Sequence, residues 1–178
     1  MKKLFYPVLA AILLVGSAWT LSTSLDKLKV VEGYSIAFKS KDPSGTFKKM
    51  KGDIQFDESD LASCKFDLSF EVSSISTGNG MQNKKALTAE WFDAAKYPQI
   101  TFVSTKVEKS DNTYYVTGNL KMKGVTKEYK IPVTASKKGT GFTFTGKFKV
   151  NRIDFKVGKK SDVVPSYMEI NYSMTASK

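Results

Sequence analysis

Five charged side chains could in principle do acid–base work in this chain: Lys85, Glu90, Asp93, Arg152 and Asp154. No spacing among them forms a recognised catalytic set, so they specify no reaction. Arg152 and Asp154 alternate along one side of a strand-like run, which predicts an ion pair or a hydrogen bond at a strand seam. The chain contains no histidine. That removes Ser-His-Asp and Cys-His catalysis, histidine zinc sites and histidine-ligated haem, together with the commonest general acid–base group. Asp57, Glu58, Ser59 and Asp60 lack the glycine and spaced ligands of a calcium loop and read as a turn. No catalytic residue, metal ligand or cofactor is assigned. Cys64, the single cysteine, could seek an intermolecular disulfide. Its place in phase with Phe66, Leu68 and Phe70 predicts instead a buried, reduced thiol acting as a small hydrophobe.

The elements that carry these residues read mostly as strands. Tyr34, Ile36 and Phe38 alternate with polar or small residues up to a turn at Asp42-Pro43-Ser44-Gly45. A second strand is expected from Thr46 to Asp57. From Cys64 to Val72 the alternation is cleanest, with one dry and one wet face. Five more strands are expected: Gln99 to Lys109, Thr113 to Met122, Val125 to Ala135, Gly141 to Val150 and Ser166 to Ala176. Pro132 cannot donate a ladder hydrogen bond, which predicts a bulge or a frayed seam. Between the third and fourth strands lies one helix, expected to start at Asn83 as N-cap. Its apolar face would be Leu87, Trp91 and Ala94 or Ala95, with Lys96 in the last turn and Pro98 as the stop. Gly78 falls at the strand-to-helix turn, where a positive φ is expected. Eight short-linked strands and one helix fit an up-and-down barrel, which removes sheet edges, or a two-sheet sandwich.

At 178 residues the chain suggests one domain able to bury roughly two-thirds of its unfolded surface. A composition 41% hydrophobic and 12% aromatic argues for a globular fold over disorder. Lys2 and Lys3 precede an apolar run from Leu4 to Val15, and Gly16-Ser17-Ala18 supplies small residues before Trp19. The run is short of the ~20 residues of a membrane span, so residues 1–18 are expected to be a removed signal peptide. Residues 19–31 would be a flexible leader and 32–178 the folded domain, periplasmic or secreted. The absence of a cysteine near the cleavage region excludes a lipoprotein anchor there. A net charge of +11 has two readings: transient contact with an anionic membrane surface, or a solvated lysine-rich face. The scattered lysines favour the second. No basic aromatic motif matches a nucleic-acid module, so no nucleic-acid partner is expected.

Three stretches carry a resemblance. Ser74-Ile75, Thr77-Gly78-Asn79, Trp91-Phe92-Asp93 and then Tyr97, Pro98, Ile100, Phe102 and Ser104 follow one another in order. Gly118 to Lys127 and Asn151-Arg152-Ile153-Asp154-Phe155 add two more. Together they resemble the YceI-like family of lipocalin-like, polyisoprenoid-binding proteins over roughly Tyr34 to Ser177. One departure stands out. Where that family usually carries an Arg-Asp-x-His set, this chain has Gln82, Asn83 and Lys85, so no role of those groups transfers.

The resemblance implies an all-β, eight-stranded antiparallel lipocalin-like barrel with one short helical insertion. It also implies an isoprenoid or other amphipathic lipid as partner. Periodicity alone assigns the dry-face residues to a filled core, as aromatic stripes usually are. The resemblance assigns them to a tunnel lined by Phe66, Leu68, Phe70, Phe102, Phe142, Phe144, Ile170 and Tyr172 and covered by Leu87, Trp91 and Phe92. The implied function is a carrier or store with no chemical step. The alternatives are a secreted structural or partner-binding barrel with a filled core, and a histidine-free enzyme.

Overall fold

The computed structural model describes residues 27–178. The signal segment expected over 1–18 and most of the leader expected over 19–31 lie outside the described residues. Alternation becomes strands with one buried face. In β5 (Lys65–Glu71) Phe66 and Leu68 are buried while Lys65 and Asp67 are exposed. The first three strands of the meander are each broken in two. They run as β1 (Leu28–Val30) with β2 (Ser35–Lys39), β3 (Gly45–Phe47) with β4 (Met50–Gln55), and β5 with β6 (Ile75–Ser76). Five long strands follow: β7 (Gln99–Ser110), β8 (Thr113–Met122), β9 (Val125–Lys138), β10 (Gly141–Asn151) and β11 (Tyr167–Ser177).

All neighbours pair antiparallel, and β1 joins β11 to close the cylinder through Lys29↔Ser177 and Val30↔Ala176. The ring β1-β4-β5-β7-β8-β9-β10-β11 has eight members; β2, β3 and β6 extend its wall at the end where α1 lies. Closure removes the edges that an open sheet this wide would expose.

Several expectations change in detail. The leader was expected to reach Val31, yet Leu28–Val30 form β1, with Leu28 buried opposite Ile54. Lysines flank that single apolar insertion, so its three residues carry no readable period. A bulge does occur, but in β7 between Ser104 and Lys106. It shifts the inward phase from Ile100 and Phe102 to Val107.

At Pro132 the frayed seam is present. β9 continues through Pro132 against β8, but its pairing with β10 ends at Thr145↔Thr134. Beyond that point Tyr172 Oη donates to the Pro132 carbonyl at 2.6 Å, and Tyr129 fills the gap beside Phe148 and Phe155.

The helix lies earlier than its apolar spacing predicted. α1 spans Gly80–Ala86 and is capped by Asn79, whose side chain accepts from the Met81 and Gln82 backbone N–H groups. Asn83 does not cap it. Its Oδ1 accepts from the Thr77 N–H and hydroxyl, tying α1 back to β6. Residues 87–97 form successive turns, so Trp91 and Lys96 are not helical. Gly78 adopts φ +80°, as the strand-to-helix turn required.

Candidate ligand-binding site

The two ends of the barrel differ. Away from α1, Phe56 sits at the centre of a ring cluster, with centroids 5.1 Å from Tyr114, 5.0 Å from Phe142 and 5.2 Å from Phe144. Phe144 in turn lies 5.3 Å from Phe66. These edge-to-face contacts fill the cylinder, and Tyr114 Oη closes the end by donating to Glu58 at 2.7 Å. Cys64 belongs to this end. Its thiol donates to the Asp57 carbonyl, accepts from the Asp57 N–H, and is pushed up in pKa by burial.

The other half is hollow. A cavity of about 330 Å³ runs from Phe66, Val116 and Met174 toward α1, within the range of small-molecule sites. Its walls are almost wholly apolar, with Ile36, Phe38, Ile100, Val150 and Met168 facing in from the strands. Exposed Asp42, Lys85 and Val163 are among its lining, so it reaches solvent at that end.

The mouth is built by α1, the turns after it and the loop from Val157 to Pro165. Arg152 organises that loop. It opens a 3-10 turn spanning Arg152–Phe155 that carries the chain out of β10. There its buried guanidinium donates to four backbone carbonyls, those of Val157, Lys159, Val164 and Pro165, at 2.7–2.9 Å. The expected ion pair with Asp154 is absent, because the turn replaces the strand alternation that would have aligned the two. Asp154 accepts instead from the Asn151 side-chain amide at 2.9 Å. Arg152 is 3% exposed and forms no ion pair with a carboxylate among the described residues. Burial draws its pKa down from the usual value, yet a guanidinium keeps its proton.

Trp91 lies over this clasp. Its ring centroid is 5.3 Å from Arg152 Cζ and 5.8 Å from Lys85 Nζ, so two cations flank one indole. Its Nε1–H is buried and meets no acceptor. An orphaned buried donor of this kind costs roughly 1–3 kcal/mol.

Of the residues expected to line the tunnel, Phe66, Leu68, Phe70, Trp91, Phe92, Phe102, Ile170 and Tyr172 do line the cavity. Phe142 and Phe144 do not, because they are consumed by the cluster around Phe56. Leu87, the C-cap of α1, packs against the core and is not part of the wall. Sequence reasoning missed Arg152 as a clasp. It also left out Ile36 and Phe38, although both were visible as inward positions of the first strand.

A profile of the YceI-like domain matches residues 19–176. The chain belongs to the YceI-like family. Protein YceI of Escherichia coli O17:K52:H18 is 33% identical over 135 residues, covering 71% of this chain and 69% of that protein. BcnA of Burkholderia cenocepacia superposes with TM-score 0.77 at 31% identity, over 81% of this chain and 96% of that one. A polyisoprenoid binding domain from Saccharophagus degradans shares the fold, with TM-score 0.65 at 11% identity over 86% and 99% of the two chains. In this YceI-like barrel the family's Ser-Ile-x-Thr-Gly-Asn run is the β6-to-α1 turn, and its Asn-Arg-x-Asp-Phe run is the clasp.

Proposed function

We propose that this chain is an exported binding protein that holds the apolar tail of an amphipathic lipid, an isoprenoid or a similar long chain, and carries or stores it without a chemical step. The observation that carries this reading is the apolar cavity, open at the mouth and blind at the aromatic end. At ~30 Å³ per water-sized group it holds on the order of ten chain carbons. The family relationship supports the same ligand class.

Burying each methylene from water is worth about 0.8 kcal/mol, which makes the barrel an effective shield in an aqueous compartment. A tail in a bilayer is already out of water, so extraction depends on packing inside the cavity. Delivery fits transient contact with a membrane surface. Met81 and Val163, 80% and 75% exposed, are apolar side chains of α1 and the mouth loop, with Lys84, Lys85, Lys159 and Lys160 close in sequence. The Lys2-Lys3 start and the short apolar run support export to the periplasm or beyond.

Native mass spectrometry of the exported protein after gentle purification tests the reading. A co-purifying lipid mass on a chain lacking Met1 to Ala18 is the expected result. A reproducibly bare protein that also fails to bind long-chain amphiphiles after delipidation overturns it.

A further inference from the structure

The tail-binding reading leaves the polar groups at the mouth unexplained, and most of them have partners. Thr77 Oγ1 is taken by Asn83 and Asn79, and Tyr172 Oη by Pro132. Arg152 spends four of its five N–H donors on the loop carbonyls. The buried Trp91 Nε1–H and the Lys85 ammonium are among those left, beside the Gln82 and Asp42 side chains. Neither has a hydrogen-bond acceptor or an ion-pair partner among the described residues.

An indole N–H can only donate, so the partner it lacks is an acceptor. That acceptor would lie near two cations, because Lys85 and Arg152 both stand over the Trp91 ring. Asp42 is the one carboxylate in the cavity wall, so the described lining carries two positive groups against one negative. A neutral carbonyl would satisfy the donor but leave the field unanswered.

We propose that Trp91 and Lys85 form a headgroup site for an anionic oxygen acid, a carboxylate or a phosphate, at the end of the bound tail. Lys85 supplies the mobile charge, a turn of the Trp91 ring brings its Nε1–H, closed to a water-sized group as the ring stands, onto one oxygen, and Arg152 fixes the loop and adds its field. The inference rests on the tail-binding reading and goes beyond it by naming the head.

Calorimetric titration of the delipidated mature protein at neutral pH separates the two. The probes are dodecanoate, dodecyl phosphate and dodecanol, each below its aggregation limit. At least one anion should bind roughly tenfold or more tighter than the alcohol, the scale of one charge-assisted hydrogen bond. Whichever anion is favoured identifies the head as carboxylate or phosphate. Lys85→Gln, at an exposed position, should remove most of that preference and its salt dependence, and should lower anion affinity by clearly more than dodecanol affinity. Trp91→Phe, which keeps a ring and loses the N–H, should lower anion affinity further. Equal binding of all three probes, or equal losses for alcohol and anions in Lys85→Gln, overturns the headgroup site and leaves the tail reading intact. Failure of every probe to bind overturns the tail reading itself.

Discussion

At the end of the barrel away from α1, inward positions carry Phe56, Tyr114, Phe142 and Phe144, and their rings meet edge to face. At the mouth the same alternation puts Ile36, Val150, Met168 and Ile170 inward, and the cylinder stays hollow. The wall differs as well. β9 and β10 are laddered at the filled end, from Gly141↔Lys138 to Thr145↔Thr134, and part company beyond Thr134 and Thr145 at the mouth. Alternation decides which residues face in; their summed size decides whether anything else fits. The dry faces therefore fill the core at one end and line a cavity at the other.

The largest separation between the ends should come from two alanine substitutions. Phe144→Ala, at a site with no exposure, should cost about 3–5 kcal/mol of unfolding free energy. Because it enlarges space behind the blind end, it should not weaken amphiphile binding. Trp91→Ala, at a partly buried site, should cost less, roughly 2 kcal/mol, yet reduce affinity by more than the stability change explains. Denaturant melts paired with titration check both; the reverse pattern of affinities would mean that the ligand sits at the wrong end.

A smaller effect concerns the boundary between the halves. A Cβ on Gly146 would collide with the Pro132 carbonyl and Tyr172 Oη, the pair that bridges the start of the open seam. Gly146→Ala should cost on the order of 1–3 kcal/mol. Amide exchange should rise selectively in β9 and β10 on the mouth side of Thr145, and a uniform rise would show that the two ends unfold together. Gly78→Ala should cost about 1 kcal/mol, since the φ of +80° alone demands glycine and its surroundings are open. An unchanged denaturant midpoint would contradict that.

The smallest effect is a pH dependence at the filled end. Burial raises the Cys64 thiol pKa, so the folded state resists forming the thiolate. The associated stability is complete below the unfolded thiol pKa of about 8.5 and is lost as pH climbs through the higher folded value. Cys64→Ala should flatten the alkaline fall in urea midpoint, and native Cys64 should label slowly with thiol reagents. Equal slopes for the two proteins would place the thiol near solvent.

How much was legible follows from which patterns repeat. Phe66, Leu68 and Phe70 announce their strand because period two recurs, and the barrel follows from eight such runs and the family resemblance. The helix shifted because Asn79 and Asn83 are equally good caps by type, and only the three-dimensional turn at Gly78 selects Asn79. Leu28 carried no period to read. Arg152 looked like one half of a charged pair, since nothing local shows that a 3-10 turn will aim it at carbonyls. The hollow itself was illegible, because periodicity reports direction and not volume.

The parted seam has a mechanical consequence. A fully laddered cylinder resists widening like a hoop, since any increase in girth stretches hydrogen bonds in every rung. Here the hoop is slit over the half that holds the cavity. Tyr129, Phe148 and Phe155 occupy the slit through ring contacts, which slide where hydrogen bonds would have to break. The filled end acts as the solid collar from which two compliant staves project. Such a sleeve can change girth over its hollow half without losing its closure.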